Sequence, residues 1–498
     1  MGNELVLGID VGTTAVKVAV FTVGGPLVRA CATEHVMTRP GPGLAEQDPG
    51  HWWQGCVRGI EAVLKDVAPE SVRAVGVVSQ VNTHIFVDAN LRPLMPAITW
   101  QDQRCAAVAR ELDGRFTAEE KAQIWGGPFT FDASRLVSRA LWVARHDREV
   151  WRRTRWVLSP KDYINARLTG EIATDGLSSV GLVDGDGTGY LADAVRLVDG
   201  LAERLPPLAG AAEPVGAVVA PELVGLLGSA TVVVGTMDAF GDIYGSGLIT
   251  PGRAMIACGT SLVVAGTSEH ACASHGVVTF PPIDGLYVHA GPTQAGGEAL
   301  RWWSRTCART VQQVVTEAAA AAPGGSGVVF TPYLMGERAP LWDATVRGSF
   351  LGLSATTSRA ELSRAVLEGV AMSGRQVLAA VETACGTPLA SVTFSGGGAN
   401  SDLWSQIFAD VLRRPVQRLE TRDYSAVLGA ALLASVGAAI YPDIATATDR
   451  AVTIDRVFTP DNERADLLDP LFEVYLDSYQ ALRNVHAKLA DWRAHHND

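Results

Sequence analysis

The segment Asp10-Val11-Gly12-Thr13-Thr14 sets a carboxylate two residues before a Gly-Thr-Thr turn, and Lys17 follows it. A tight turn of this kind offers backbone N–H groups and hydroxyls to a polyphosphate. A carboxylate beside it is the oxygen donor that Mg2+ prefers. Asp10 is therefore a candidate metal ligand, and Gly12, Thr13, Thr14 and Lys17 are candidates for phosphate contact. Gly259-Thr260-Ser261 repeats the turn 247 positions later, almost half the chain away. One Gly-Thr turn is ordinary turn chemistry. Its return at half-length points to a duplicated domain, with two hairpins facing each other across a cleft.

Two further segments carry candidate chemistry. In Phe394-Ser395-Gly396-Gly397-Gly398-Ala399-Asn400, three consecutive glycines let a flat or charged ligand lie on the backbone, and an adenine ring or its ribose would fit. Gly396, Gly397, Gly398 and Asn400 are the candidates there. In Gly235-Thr236-Met237-Asp238 a carboxylate stands at a strand end, where α/β folds place their chemistry. Asp238 is placed to take a proton from a hydroxyl attacking phosphorus; the same position suits an N-cap aspartate. Asp242, one helical turn on, is the rival carboxylate.

Ser79-Gln80-Val81-Asn82-Thr83-His84 and Trp100-Gln101-Asp102-Gln103-Arg104 gather amides, a carboxylate, a guanidinium and an indole into short loops. A polyhydroxylated ligand needs such directed hydrogen bonds and an apolar wall. Gln80, Val81, Asn82, His84, Trp100, Asp102 and Arg104 are the candidates, although a lone histidine such as His84 is more often structural.

The elements that must position these groups alternate strand with helix. Apolar runs at 5–9, 15–21, 75–78, 231–234 and 392–394 read as strands, each closed by a polar or glycine-rich turn. Amphipathic spacing predicts helices over 359–370 and 403–411. The run 426–441 reads as a buried helix, 202–221 as surface connection and 467–492 as helix. The pattern is that of doubly wound α/β sheets. A Thr-Pro-Gly turn at 250–252 places the domain boundary near Gly247.

Composition narrows the function classes. The 498 residues exceed a single core, and 47% hydrophobic with 19% charged residues excludes large-scale disorder. A net charge of −12 supplies no basic field for nucleic acid or anionic lipid. No stretch is long and apolar enough to cross a bilayer, and the N-terminus has no basic segment of a signal peptide, so the expected location is cytoplasmic. Seven scattered cysteines without a Cys-x-x-Cys pair read as reduced thiols, and no zinc site is expected.

Taken together these motifs resemble the FGGY carbohydrate kinases, of the superfamily that holds hexokinase and actin. Asp10 to Thr14 is similar to the first phosphate motif of that family, and Trp100 to Arg104 to its sugar-site segment. Ser159-Pro160-Lys161-Asp162-Tyr163 with Arg167-Leu168-Thr169-Gly170-Glu171 looks like its mid-domain signature, and Gly235 to Asp238 like the segment of its catalytic aspartate. Gly259 to Ser261 resembles the second phosphate motif; Gly336-Glu337-Arg338-Ala339-Pro340 and 348–353 resemble the family signature, and 396–400 the adenosine motif. The resemblance implies two ribonuclease-H-like α/β domains, 1–247 and 248–460, flanking a catalytic cleft, with a helical segment 461–498 returning onto the first. It implies ATP and Mg2+, a sugar or polyol as partner, neither nucleic acid nor membrane, and a homodimer as often seen in the family. Asp238 becomes the general base, and domain closure excludes water.

Members acting on xylulose usually carry Met-His after the glutamine aligned with Gln80, and glycerol kinases Arg-Glu; this chain has Val81-Asn82. The Trp-x-Asp-x-Arg and Lys-Asp-Tyr blocks lie nearer the xylulokinase-like branch, so a ketopentose is the first choice. Glycerol, erythritol or another polyol is the alternative substrate. An ATPase switch or a sugar sensor on the same fold is the alternative of another class.

Overall fold

The computed structural model describes residues 4–496 except 126–128, 271, 273, 275, 281, 283 and 284. The chain divides into two compact units, Met1–Gly245 with Tyr424–Ala451, and Ser246–Asp423 with Val452–Asp498.

The sheet of the first unit is built from β1 (Leu5–Val11), β2 (Ala15–Thr22), β3 (Leu27–Glu34), β4 (Val72–Ser79), β5 (Pro214–Ala217), β6 (Thr231–Val233) and β7 (Thr236–Met237). Its order is β3-β2-β1-β4-β6-β5, with β7 pairing on β4 beyond β6. β1 runs antiparallel to β2 and parallel to β4, which is parallel to β6 in turn. Every residue of β1 is buried, as the apolar run requires of a strand covered on both faces. The expected surface connection 202–221 is not wholly irregular: its 214–217 portion pairs with β6 as an edge strand.

In the second unit β8 (Arg253–Cys258), β9 (Leu262–Ser268), β10 (Val278–Thr279), β11 (Tyr287–Pro292), β12 (Ser391–Ser395), β13 (Val416–Leu419) and β14 (Ile454–Phe458) follow the order β10-β11-β9-β8-β12-β13-β14. Strands β11-β9-β8-β12-β13 repeat the order and directions of β3-β2-β1-β4-β6. The two Gly-Thr turns occupy the same corner of each sheet, the β1–β2 and β8–β9 connections. The expectation of two ribonuclease-H-like α/β domains holds at this level.

Two expected boundaries change. The helix Ser425–Gly437 belongs to the first unit, not the second. It is apolar all round and packs beneath β1 and β4, where a Cβ on Gly8 would meet the Val427 carbonyl at 2.1 Å and one on Gly76 the Ala430 carbonyl at 1.9 Å. Only glycine permits that approach. The C-terminal helix Asn462–His496 belongs to the second unit rather than returning to the first. Its Leu468, Phe472, Tyr475 and Tyr479 enter that core, the Tyr333 hydroxyl donates to that of Tyr475 at 2.6 Å, and Arg375 lies on the Phe472 ring and pairs with Asp469. Among the described residues, no helix is long and apolar enough to cross a membrane.

Candidate functional site

In the first unit, Asp10 sits near the end of β1, and the strand register pairs it with Lys17 of β2. Burial pushes the Asp10 carboxyl up to about 7; Lys17 pulls it down and Asp242 pushes it further up. Its Oδ1 is buried without a hydrogen-bond partner. A carboxylate oxygen left in that state is a donor in need of a cation.

Asp238 opens the helix Asp238–Gly245, immediately after β7. Its Oδ1 accepts the Ala239 N–H at 2.8 Å, the adjacent amide rather than the one two or three residues on that an N-cap aspartate would hold. Burial, then Asp10 and Asp242, hold its carboxyl well above the ordinary aspartate value. Asp242 accepts from the Ser425 hydroxyl, and burial raises it too. The rival carboxylate is thus tied to Ser425 and Asp238 to the amide that follows it. Acids gathered at one strand end shift one another in this manner at catalytic sites.

The first hairpin is fixed from outside. Gly12 N–H donates to the Ala15 carbonyl at 3.1 Å, His35 reaches the Gly12 carbonyl at 3.0 Å, and Gln47 donates to the Thr13 carbonyl at 2.7 Å. The Trp100 indole N–H donates to Thr13 Oγ1 at 3.1 Å, joining a sugar-loop candidate to the phosphate turn. Gln80 donates to Gln47 at 2.7 Å while its own Oε1, buried, has no protein partner. Val81 and Asn82 are partly exposed, and Asn82 stands at a φ of 47°.

Other candidates in these loops spend their polar atoms on the protein. Asp102 is wholly buried: Oδ2 accepts from Ala45 N at 2.6 Å and Arg104 Nη2 at 2.7 Å, and Oδ1 from Arg104 N and Nε. Burial pushes its carboxyl up, but these bonds prevail and hold it below the usual value. Arg104 also pairs with Glu46 at 2.7 Å. His84 is buried with Nδ1 2.8 Å from Arg139 Nη1, and burial, then Arg139, hold its ring well below the ordinary histidine value. Gln47 and Arg139 were not among the sequence candidates; no local motif marks either.

In the second unit, Gly259, Thr260, Gly397, Gly398 and Asn400 border one cavity of about 650 Å³ together with Trp404 and Arg301. Gly396 and Gly398 are demanded by packing, since a Cβ on either would press within 2.6 Å of Cys258. A Cβ on Gly397 would meet nothing within 4 Å, so that glycine leaves open space. The second hairpin is held by the start of the helix Gly297–Thr306: Gly296 N–H donates to the Thr260 carbonyl and Gly297 N–H to that of Gly259. Arg301 Nη2 donates to Thr260 Oγ1 at 3.0 Å, adding a guanidinium beside the turn. The Gly296-Gly297 pair ahead of a helix is the sequence signal that would have found this support. Asn400 is engaged on both ends, donating to Asp423 and accepting from Arg422. Ser261 follows as the last turn residue before β9.

Residues 5–241 match the model for the N-terminal domain of the FGGY family of carbohydrate kinases, and residues 254–438 that for its C-terminal domain. The chain is 32% identical to a xylulose kinase of Escherichia coli (strain K12), over 96% of this chain and 99% of that one. It is 26% identical to a gluconokinase of Bacillus subtilis (strain 168), over 99% and 98%. Its fold matches the crystal structure of a xyloylose kinase from Brucella ovis with a TM-score of 0.86 and 31% identity, covering 97% of this chain and all of that one.

Proposed function

We propose, from the premise that this chain belongs to the FGGY family of carbohydrate kinases, that it is a sugar kinase acting on a ketopentose such as xylulose, with Asp238 as general base. The sugar hydroxyl oxygen attacks the γ-phosphorus of ATP, the new O–P bond forms as the bond to the β-phosphate oxygen breaks, and ADP leaves. The hydroxyl proton passes to Asp238. A carboxyl with raised proton affinity accepts it more readily than an ordinary aspartate. The observation that carries this reading is Asp238 at a strand end, opening its helix, with Asp10 and Asp242 near enough to raise its proton affinity.

Asp10, with its unpartnered buried oxygen, suits Mg2+, and would hold it there. When bound, that ion would offset charge on the phosphates. The Gly-Thr turns and Arg301 favour phosphate by N–H and guanidinium donors. The open face of Gly397 favours the adenosine. The xylulose kinase relatives support a ketopentose; the gluconokinase relative keeps a sugar acid in second place. A cytoplasmic, homodimeric enzyme belongs to the same reading.

Coupled ADP release with Mg2+-ATP, against D-xylulose, L-xylulose, D-ribulose, L-ribulose, gluconate, glycerol and erythritol, tests it. Turnover on one ketopentose that Asp238→Asn abolishes is the expected result. Turnover on gluconate alone would replace the substrate, and sugar-independent hydrolysis would replace the class.

A further inference from the structure

Lys161 has no exposed surface. Its Nζ lies 2.6 Å from Asp162 Oδ1 and 3.0 Å from Asp175 Oδ1, and both acids are buried with it. Burial works against the lysine charge, but the two carboxylates overcome it and hold the ammonium above its ordinary value. Buried ion groups add little to stability over an apolar core, so one at this place calls for another explanation.

The network's outer contacts supply it. Asp175 Oδ2 accepts the Thr236 hydroxyl at 2.7 Å, and Thr236 belongs to β7, two residues before Asp238. Lys161 N–H donates to Ser79 Oγ at 3.1 Å, at the end of the strand on which β7 pairs. One turn along the helix Pro160–Thr169, Asn165 donates to the Val233 and Val234 carbonyls at 3.1 and 2.9 Å. Between these anchors stands Gly235, at a φ of 72° with the Val77 carbonyl where a Cβ would be. One helix face therefore fixes the chain on both sides of the bend that delivers Asp238. The helix is fixed in turn by a capping box in which Asp162 Oδ2 accepts from Ser159.

We infer that Lys161, Asp175 and Thr236 form a positioning relay that sets the carboxylate of Asp238, rather than a device for stability. The inference rests on Asp238 being the base. A carboxylate displaced by a fraction of an ångström loses rate without losing substrate.

Thr236→Val is the test, since it preserves shape and removes only the hydroxyl; Thr236→Ser restores it. For Thr236→Val we expect kcat to fall at least 30-fold with both KM values within two-fold of wild type. Amide exchange in the peptide spanning 234–242 should accelerate in the same variant, and both effects should revert in Thr236→Ser. Unchanged exchange with kcat within three-fold of wild type would overturn the relay, as would a serine variant no better than valine. Exchange reports on the relay even if no sugar is turned over. Absence of sugar turnover in the wild type would instead sink the kinase reading and Asp238 as base with it, and accelerated exchange would then leave only the fixing of the 234–242 backbone by Thr236.

Discussion

Arg139 Nη1 lies 2.8 Å from His84 Nδ1, so two basic side chains meet in the interior beneath the 80–84 loop. The guanidinium also donates to the Asn82, Ile98 and Thr99 carbonyls, and burial lowers it only to about 10, so it stays charged at neutral pH. His84 must then be neutral, presenting a lone pair at Nδ1. Its ring titrates well below 6.5 when folded and near 6.5 when unfolded, so the unfolded chain binds the extra proton. The stability this pairing supports is full above about pH 6.5 and is lost as pH falls below it, at about 1.4 kcal/mol per pH unit. Asn at this position offers an acceptor without a titration. His84→Asn should flatten the loss of melting temperature between pH 7 and 5; an unchanged slope would show that other groups set it.

Asp102 separates two roles that a sequence cannot. A ligand-binding aspartate changed to asparagine raises KM and leaves folding alone. Here both oxygens are bonded to Ala45 and Arg104, and the neutral variant leaves Arg104 and Glu46 in a broken buried network. The expected loss is about 3–5 kcal/mol of stability. Urea unfolding of Asp102→Asn beside its sugar KM decides it: a raised KM with intact stability would restore Asp102 to the sugar site.

The hairpins, the strand ahead of Asp238 and the triple glycine were legible because each is local: residue type and spacing carry the signal. The destinations of 425–437 and 462–496 were not. An all-apolar helix announces burial but not the sheet it lies beneath, and the clues, Gly8 and Gly76, are about 350 or more positions from their contacts Val427 and Ala430, in two strands that read well without them. The protein partners of His84 and Asp102 were illegible for a related cause. Polar loops suggest ligand contacts, yet their partners, Arg139 and Ala45, lie 55 and 57 residues away.

The three consecutive glycines do different work, and alanine separates it. Gly398→Ala forces a methyl against Cys258 Sγ at 2.6 Å and should cost about 1–3 kcal/mol through overpacking. Gly397→Ala meets nothing, so its melting temperature should match wild type while the methyl occupies the ligand's face of the turn. KM for ATP should then rise about ten-fold, the equivalent of about 1.4 kcal/mol. Thermal melts with and without ATP, beside ATP kinetics, check both; a Gly397→Ala enzyme with normal ATP affinity would move the adenosine elsewhere.

Asp10 carries the last prediction, because its buried Oδ1 lacks a hydrogen-bond donor while burial and Asp242 press its carboxyl toward the neutral form. A cation supplies the partner that no hydrogen bond gives that oxygen. Chelation should therefore abolish turnover, and readdition of Mg2+ should restore it. Asp10→Asn keeps the shape but removes the charge, so half-maximal activity should need about ten-fold or more Mg2+ at fixed ATP, consistent with loss of one charged oxygen ligand. Its melting temperature should hold or rise, since an uncompensated buried carboxylate has been removed. Equal Mg2+ requirements in the variant and wild type would take Asp10 out of the metal site and leave it as a neighbour that tunes Asp238.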